Sequence, residues 1–285
     1  MDSGHYKDEE GKPWSGDLTS CEADALDMAE IAKAKGFTIT TILTKQATNS
    51  RVIKKIEKAA KELEAGDIFM ISYSGHGGQV PDQNGDEIDL DDILADETDE
   101  TWCLYDGELI DDTLYSLWGK FKDGVRILVF SDSCHSGTIT KMANFESKLN
   151  MTKTNEDKDG NKYRFLPTSV AQKTYRNNKV HYDNIMNNID SKDARGENVK
   201  ASVILFSGCQ DNQLSLDGSF NGYFTGQLKK VWQNGNFKKS YKKFYKAIVN
   251  GLPPNVVAMK ENQTPNYFKV GKPNIQFEHQ LPFTI

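Results

Sequence analysis

The chain has 285 residues, of which 37% are hydrophobic and 27% are charged. This length suits one large α/β domain or two small ones with a substantial core. The apolar runs are short and interrupted, which argues against a transmembrane helix. The chain does not open with a charged segment followed by an apolar one, so no secretory signal is visible. The sequence therefore predicts a cytoplasmic protein with no membrane partner.

Charge and cysteine usage narrow the classes further. The net charge is −6, but residues 1–120 carry 11 Lys+Arg and 27 Asp+Glu, whereas residues 121–285 carry 24 and 14. Such an uneven charge distribution affects the local electrostatic potential but does not indicate the fold. The cysteines, Cys21, Cys103, Cys134 and Cys209, are widely spaced and form no CxxC pair. This spacing argues against a zinc site or a disulfide framework and predicts reduced thiols.

The first half of the chain alternates helices and strands. After a polar loop over residues 1–18, the pattern predicts a helix over 21–35 capped by Asp17 or Ser20, and a second helix ending near 65 and capped by Asn49 or Ser50. Strands are expected at 37–43, 67–73 and 125–131, with an acidic loop and a helix over 111–121 before the last of them.

The second half begins with a change of character. Residues 138–200 are polar and rich in Asn, Lys and Asp, which predicts a linker or mobile insert. Order is expected to resume with a strand at 201–208, helices near 223–233 and 240–250, and a last strand at 266–270. Alternating strands and helices predict parallel pairing, and the continuous apolar strands predict a sheet covered on both faces.

Two of the buried strands end in residues that carry chemistry. One leads into His76 among Gly75, Gly77 and Gly78, and the other leads into Cys134. A thiolate nucleophile needs a base, and ligands of open α/β sheets bind beyond the carboxyl ends of the strands. Either residue alone is more often structural, but together they favour a catalytic pair. The backbone N–H groups of Gly77 and Cys134 are candidates for an oxyanion hole.

His135 is a rival partner for Cys134. Side chains alternate along extended backbone, so neighbouring residues point apart, which favours His76.

These residues belong to longer motifs. Tyr-Ser-Gly-His-Gly at 73–77 and Asp-Ser-Cys-His-Ser-Gly at 132–137 resemble the catalytic motifs of metacaspases and their bacterial relatives, within the caspase-like cysteine peptidases. The resemblance extends to Cys-Glu-Ala-Asp at 21–24 and to Ser-Gly-Cys-Gln-Asp-Asn-Gln at 207–213, so it covers about residues 15–270.

The resemblance implies a fold and a division of the chain. The expected fold is a caspase-like three-layer α/β/α sandwich with a mostly parallel central sheet. The family usually begins with a buried strand, and the given sequence starts in the loop after it, so either this strand is absent or the sequence starts late. Residues 1–137 correspond to a p20-like catalytic region, 138–200 to an insert, and 201–285 to a p10-like region that completes the same domain.

The resemblance also implies an activity and its residues. His76 is the general base, Cys134 is the nucleophile, and an S1 pocket is built from Cys21, Asp24, Ser74 and Asp132. Two carboxylates in one pocket suit a cationic side chain, which predicts cleavage of proteins or peptides after Arg or Lys. The resemblance favours a monomer, although the sequence leaves the oligomeric state open. From local sequence alone, a carboxylate in the first helical turn explains Asp24 equally well.

The acidic stretch over residues 82–112 holds 14 Asp+Glu and no Lys or Arg. Ca²⁺ binds through such oxygen ligands in irregular loops. The resemblance implies Ca²⁺ ligands at Asp91, Asp111 and Asp112, but Lys141 stands where the family has a further Asp. A solvated loop, a Ca²⁺ site and a docking site for a basic partner remain open, and Cys–His chemistry itself requires no cofactor.

Two basic stretches have alternative interpretations. The insert carries many Lys and Arg, among them Lys158, Arg164 and Arg176, so it is either a self-cleavage region or an uncut loop. Residues 229–246 hold seven lysines interleaved with aromatic residues. This pattern can indicate nucleic-acid binding, but its helical spacing favours amphipathic helices with aromatic residues in the core.

The leading functional hypothesis is a cysteine endopeptidase specific for Arg or Lys. The alternatives are a catalytically silent caspase-like adaptor and a Ca²⁺-regulated binding module.

Overall fold

The structure is a computed structural model that describes residues 4–82, 98–134, 155–156, 160–208, 216–218, 220–252 and 265–285. Its strands are β1 (Ile68–Ser74), β2 (Gly77–Pro81), β3 (Thr98–Leu104), β4 (Gly107–Ile110), β5 (Arg126–Asp132), β6 (Ser202–Ser207) and β7 (Asn266–Gly271). Its helices are α1 (Cys21–Ala34), α2 (Asn49–Glu62), α3 (Asp111–Gly119), α4 (Thr168–Asn187), α5 (Ser191–Ala194), α6 (Tyr223–Trp232), α7 (Tyr241–Gly251) and α8 (Ile275–His279). Short 3₁₀ turns cover Thr44–Gln46 and Gln233–Gly235.

A four-stranded sheet with the order β1-β5-β6-β7 forms the centre of the fold. β1, β5 and β6 are parallel and β7 is antiparallel to β6. In the β1–β5 register, Ser74 lies opposite Asp132, so both strands end at the same edge. Residues that follow β1 and β5 are therefore brought together at that edge.

Helices cover both faces of this sheet. On one face, the apolar side chains of α1, α6 and α7 pack against Leu128, Phe130 and Phe206. On the other face, those of α2 and α3 pack against Ile127, Val129 and Val203. The three-layer α/β/α sandwich with a mostly parallel sheet is confirmed.

β2, β3 and β4 form a second, antiparallel sheet. Its strands β3 and β4 lie within the stretch that was predicted to be an acidic loop. Trp102, Leu104 and Leu109 give these strands a buried apolar side despite the surrounding acidic residues. Asp91 and the rest of residues 83–97 lie outside the described residues.

The strand predicted at 37–43 is wrong. Burial alternates from Phe37 to Thr40, as in a strand, but the residues have no ladder partner, because the described central sheet ends at β1. Phe37 packs against the core beside α1. Alternating burial reports which side chains face the protein, whereas a strand also requires a neighbouring backbone.

The insert also departs from expectation, because it contains α4, a helix of 20 residues, and the short α5. Val170, Tyr182 and Met186 of α4 are fully buried. Few apolar residues mark this helix in a polar sequence, and its stability comes from tertiary packing of that narrow stripe.

The helix caps differ in detail from those predicted. α2 is capped by Thr48, whose side chain accepts a hydrogen bond from the Arg51 backbone N–H. Ser20 is the N-cap residue of α1 but makes no capping hydrogen bond. Its hydroxyl is bonded to Asp217 instead, which is a first indication that this helix end serves another site.

The lysine-rich stretch forms α6 and α7, as the amphipathic interpretation predicts. Trp232, Tyr241 and Phe244 are buried in the core, whereas most of the lysines are exposed. Within the described residues, no helix is both long and apolar enough to span a bilayer.

Candidate active site

The ends of β1 and β5 bring His76 and Cys134 to one cleft. The backbone of Gly77 lies so close to Cys134 that a Cβ atom at this position would overlap the Cys134 carbonyl oxygen. Only glycine permits this approach. The His76 carbonyl oxygen accepts a hydrogen bond from the Cys103 backbone N–H at 3.0 Å, which fixes the turn between β1 and β2 against β3.

The imidazole of His76 is buried and has a defined tautomer. Its Nε2 lies 2.8 Å from the Gly16 carbonyl oxygen. A carbonyl oxygen only accepts, so Nε2 carries the proton and Nδ1 is left unprotonated. Nδ1 has no hydrogen-bond partner within the described part of the chain. Burial lowers the pKa of His76 to about 4, so the ring is neutral and able to accept a proton.

Trp14 covers this ring. The Trp14 and His76 ring centroids are 4.9 Å apart, and both side chains are buried. The loop before α1 therefore supplies both the orienting carbonyl of Gly16 and the apolar cover that excludes water.

Cys134 is 1% exposed, and neither it nor Cys21 or Cys103 forms a disulfide. A buried hydrogen-bonded row holds the backbone before it: Trp102 Nε1 donates to Ser131 Oγ at 3.0 Å, and Ser131 Oγ lies 2.8 Å from Ser133 Oγ. His135 and Lys141 lie outside the described residues.

The pocket predicted as S1 is filled by Arg164, from the insert. This side chain is fully buried, and its guanidinium forms ion pairs with Asp24 Oδ2 at 2.7 Å and Asp132 Oδ1 at 3.1 Å. It also donates hydrogen bonds to Ser74 Oγ at 2.7 Å and to the Asp132 carbonyl oxygen at 3.0 Å. Cys21 lies beside the cluster, where burial raises the pKa of its thiol to about 11.

Two further pocket residues have no counterpart in the sequence prediction. Asp217 Oδ1 lies 3.0 Å from Arg164 Nη2, and Ser20 Oγ accepts from the same nitrogen at 2.7 Å. No local sequence signal identifies Asp217, because its contacts with Arg164 and Ser20 arise only on folding. Gly16 was missed for the same reason, since any residue type offers a carbonyl oxygen.

The pocket carboxylates are themselves held in place. Asp132 Oδ2 accepts hydrogen bonds from the backbone N–H of Thr225 at 3.0 Å and from its hydroxyl at 2.7 Å. Asp24 Oδ1 accepts from Asn221 Nδ2 at 2.9 Å and from the Gly222 backbone N–H at 3.1 Å. The start of α6 thus orients both carboxylates toward the guanidinium.

The guanidinium is fully charged. Burial would lower the pKa of Arg164, but the surrounding Asp132, Cys21, Asp24 and Asp217 raise it well above its ordinary value. Three buried carboxylates face one cation, so the pocket strongly favours a positive group.

The backbone of Arg164 contributes a separate contact. Its carbonyl oxygen accepts hydrogen bonds from the backbone N–H groups of both Gly77 and Cys134, each at 3.0 Å. These are the two groups that the sequence nominates for an oxyanion hole. The structure thus brings the predicted base, nucleophile, oxyanion donors and S1 residues around one arginine.

A candidate metal cluster lies apart from this pocket. Carboxylate oxygens of Asp99, Asp111 and Asp112 lie within 4.8 Å of one another. Asp111 and Asp112 were predicted as ligands, whereas Asp99 was not. An all-carboxylate set of this kind fits Ca²⁺, which prefers oxygen ligands.

The fold and this site define a class, an α/β chain of caspase-like architecture with His and Cys at adjacent strand ends. The caspase domain model (Peptidase_C14) matches residues 4–272, so the chain belongs to the caspase domain family.

Individual relatives agree with this assignment. The chain is 30% identical over 200 residues to Metacaspase-1 of Saccharomyces cerevisiae, a match covering 65% of this chain and 45% of that protein. The chain therefore spans about half the length of the curated relatives that it matches.

Two solved structures share the fold. The crystal structure of protein GSU0716 from Geobacter sulfurreducens matches with a TM-score of 0.77 and 51% sequence identity, covering 98% of this chain and 95% of that one. Caspase-1 from Spodoptera frugiperda matches with a TM-score of 0.51 and 12% identity over 92% of this chain and 82% of that one, a likeness of fold alone.

Proposed function

We propose that this chain is a cysteine endopeptidase that hydrolyses peptide bonds of protein substrates after Arg, and less efficiently after Lys. One observation carries the proposal: the guanidinium of Arg164 is buried against Asp24, Asp132 and Asp217 while its own carbonyl oxygen accepts hydrogen bonds from Gly77 and Cys134. A peptidase that cleaves after arginine has to bind the guanidinium in a pocket and hold the carbonyl oxygen of the same residue in the oxyanion hole.

In the proposed mechanism, Cys134 is the nucleophile and His76 is the base. Neutral His76 accepts the thiol proton at Nδ1, and the thiolate sulfur attacks the carbonyl carbon of the arginine. The Gly77 and Cys134 N–H groups stabilise the oxyanion, and the protonated imidazole then gives its proton to the leaving amine. Water hydrolyses the resulting thioester.

The preference for Arg over Lys follows from the shape of the pocket. Nη1 faces Ser74 and Asp132, whereas Nη2 faces Ser20, Asp24 and Asp217. A planar guanidinium serves both groups at once, but an ammonium is a single point charge. We expect Arg substrates to be hydrolysed about tenfold or more faster than Lys substrates, since losing one such contact costs roughly 1–3 kcal/mol.

Fluorogenic peptides that end in Arg, Lys or Asp test the proposal. The assay uses Arg164→Gln, because the native Arg164 fills the pocket, and the same variant carrying Cys134→Ala or Asp217→Asn. We expect hydrolysis of Arg peptides, loss of all turnover with Cys134→Ala, and a large fall in kcat/KM with Asp217→Asn. Asp123→Asn, at an exposed carboxylate paired with Lys272, is the matched control.

Two results would reject the proposal. Equal turnover by the Cys134→Ala variant would exclude the nucleophile, and absence of turnover of every peptide by folded protein would favour the adaptor alternative.

We also propose that Asp99, Asp111 and Asp112 hold a Ca²⁺ ion, with Asp91 as the fourth carboxylate implied by the family resemblance. A bound cation would neutralise mutual repulsion between Asp99 in β3 and the two carboxylates in the first turn of α3. Thermal unfolding with added CaCl₂ or chelator tests this, and we expect a rise in Tm with Ca²⁺ that Asp112→Asn abolishes. An unchanged Tm would reject the Ca²⁺ site in favour of the solvated loop or the docking site for a basic partner.

A further inference from the structure

The backbone on both sides of Arg164 is paired with the cleft. On its amino side, the Asp217 backbone N–H donates to the Lys162 carbonyl oxygen at 2.9 Å, and Tyr163 forms an antiparallel bridge with Leu216. On its carboxyl side, Phe165 forms a parallel bridge with Gly77, and the Leu166 N–H donates to the Gly77 carbonyl oxygen at 2.7 Å. The chain therefore runs through the site in an extended form, as bound peptides commonly do.

The side chains around Arg164 are buried as well. Tyr163, Phe165 and Leu166 are each at most 4% exposed. The five residues 162–166, here called the cleft segment, thus fill the candidate active site on both sides of the Arg164–Phe165 bond. Any substrate that uses the same pocket has to displace this segment.

A purely structural arginine explains only part of this geometry. Ion pairs with buried carboxylates satisfy a structural role, but they do not require the Arg164 carbonyl oxygen to meet the N–H groups of Gly77 and Cys134. The guanidinium is held by the side chains of Asp24, Asp132 and Asp217. The carbonyl oxygen is held by other groups, the backbone N–H of Gly77 in β2 and that of Cys134, which follows β5. Both sets of contacts converge on Arg164, so they single out the Arg164–Phe165 peptide bond.

We propose that the cleft segment is an internal substrate that blocks the site, and that Cys134 of the same chain cleaves the Arg164–Phe165 bond. The inference rests on the proposed function and adds the bond, the order of events and the sequence context of cleavage.

The step is ordinary peptide hydrolysis. The Cys134 sulfur forms a bond to the Arg164 carbonyl carbon as the bond from that carbon to the Phe165 nitrogen breaks, and the thiol proton passes through His76 to the new amine of Phe165. Water then cleaves the thioester, which restores the thiol and leaves Arg164 with a carboxyl group. The products are a fragment that ends at Arg164 and a fragment that begins at Phe165.

Intact mass and amino-terminal sequencing of the purified full chain test the bond. During incubation, we expect the native chain to be converted into two fragments, with the second beginning Phe-Leu-Pro-Thr, whereas Cys134→Ala and Arg164→Gln should both stay intact. Arg176→Gln, which removes an exposed arginine of the same insert, is the matched control and should be cut like the native chain. Arg164→Lys retains a cation and should be cut more slowly at the same bond.

Kinetics test whether the segment acts on its own chain and blocks the site. Cleavage should follow first-order kinetics with a rate that is independent of protein concentration, since the segment is bound in its own cleft. The native chain should show a lag before it hydrolyses an Arg peptide, and Arg164→Gln should show none. A rate that rises with protein concentration, or an identical lag in both proteins, would overturn the proposal.

A synthetic peptide separates failure of this inference from failure of the proposed function. The octapeptide Asn-Lys-Tyr-Arg-Phe-Leu-Pro-Thr reproduces residues 161–168, and Arg164→Gln should cut it between Arg and Phe. If Arg164→Gln cuts the peptide while the native chain stays intact at Arg164, the peptidase assignment stands and the internal cleavage is wrong. If Arg164→Gln is folded, as judged by its thermal unfolding, but hydrolyses no peptide, both fall.

Discussion

His76 lies beneath Trp14, and its Nε2 donates a hydrogen bond to the Gly16 carbonyl oxygen at 2.8 Å. Burial lowers the pKa of His76 from 6.5 to about 4. The folded protein therefore binds fewer protons than the unfolded chain between these two pH values. The stability that depends on neutral His76 is present above about pH 6.5 and is lost as the pH falls toward 4.

Replacing His76 should therefore weaken the pH dependence of stability. In His76→Gln, the free energy of unfolding should fall less between pH 7 and pH 4 than in the native chain, by about 1–3 kcal/mol. Urea unfolding of the Cys134→Ala background at the two pH values measures the difference, and that background prevents self-cleavage. His279→Gln, at an exposed histidine, should leave the pH dependence unchanged. Equal pH dependence in all three proteins would contradict the assigned burial of a neutral imidazole.

The candidate pocket shows what local sequence reveals about single residues. Asp24, Ser74 and Asp132 were predicted from motifs, and the structure places them around one guanidinium. Asp217 and Ser20 complete the same pocket, yet the local sequence marks Ser20 only as a candidate helix cap and does not mark Asp217 at all. Their meaning depends on distances between remote parts of the chain, which local sequence does not encode.

Among the elements, β4 carries an unusual buried carboxyl group. Glu108 Oε2 accepts a hydrogen bond from Thr101 of β3 at 2.7 Å, whereas Oε1 has no hydrogen-bond partner among the described residues. Burial raises the pKa of Glu108 from 4.5 to about 7. The folded state thus binds more protons than the unfolded chain between these values, and stability is lost as the pH rises through this range.

Glu108→Gln should therefore stabilise the protein at pH 8 by about 1–3 kcal/mol and have little effect at pH 4, where the native carboxyl group is protonated in both states. Thermal unfolding of the Cys134→Ala background at both pH values is the measurement. A similar substitution at the exposed Glu62 serves as the control. Destabilisation by Glu108→Gln at pH 8 would show that the ionised carboxylate is required by its surroundings.

Element prediction succeeded where burial and periodicity agree. β1, β5 and β6 were predicted to within one residue because continuous apolar runs leave few alternatives. The strand at 37–43 failed because it has no partner in the described sheet, and α4 was missed because its buried stripe is narrow. In both cases the decisive term was tertiary packing rather than intrinsic propensity.

At the scale of the whole molecule, the carboxyl-terminal residues complete the core on one face of the sheet. Phe283 is fully buried, with its ring centroid 4.8 Å from that of Trp232 and 5.5 Å from that of Phe130. Arg126 Nη1 donates to the Gln280 side-chain oxygen at 2.7 Å, which ties this segment to β5. The last residues thus join helices and sheet that are distant in sequence.

Phe283→Ala should lower the free energy of unfolding by about 3–5 kcal/mol, because it removes a buried aromatic ring and leaves a cavity. Urea unfolding in the Cys134→Ala background measures this change. Ile275→Ala, at a side chain that is 70% exposed, should change stability by less than about 0.5 kcal/mol. Similar effects for the two substitutions would mean that the carboxyl-terminal segment does not pack on the core in solution.

The amino-acid sequence was enough to predict β1, β5, β6 and the helices that cover them, the positions of His76 and Cys134 at adjacent strand ends, and the family. These follow from local periodicity and contiguous motifs, which report on burial and on residue chemistry one segment at a time. The folded chain alone shows which arginine of the insert enters the pocket and that Asp217 and Ser20 line it. It also shows that the carbonyl oxygen of Arg164 accepts hydrogen bonds from the N–H groups of Gly77 and Cys134. The physical reason is that a pocket is a set of distances between remote side chains, and the energy that selects Arg164 over other basic residues exists only once the folded chain has placed those charges around it.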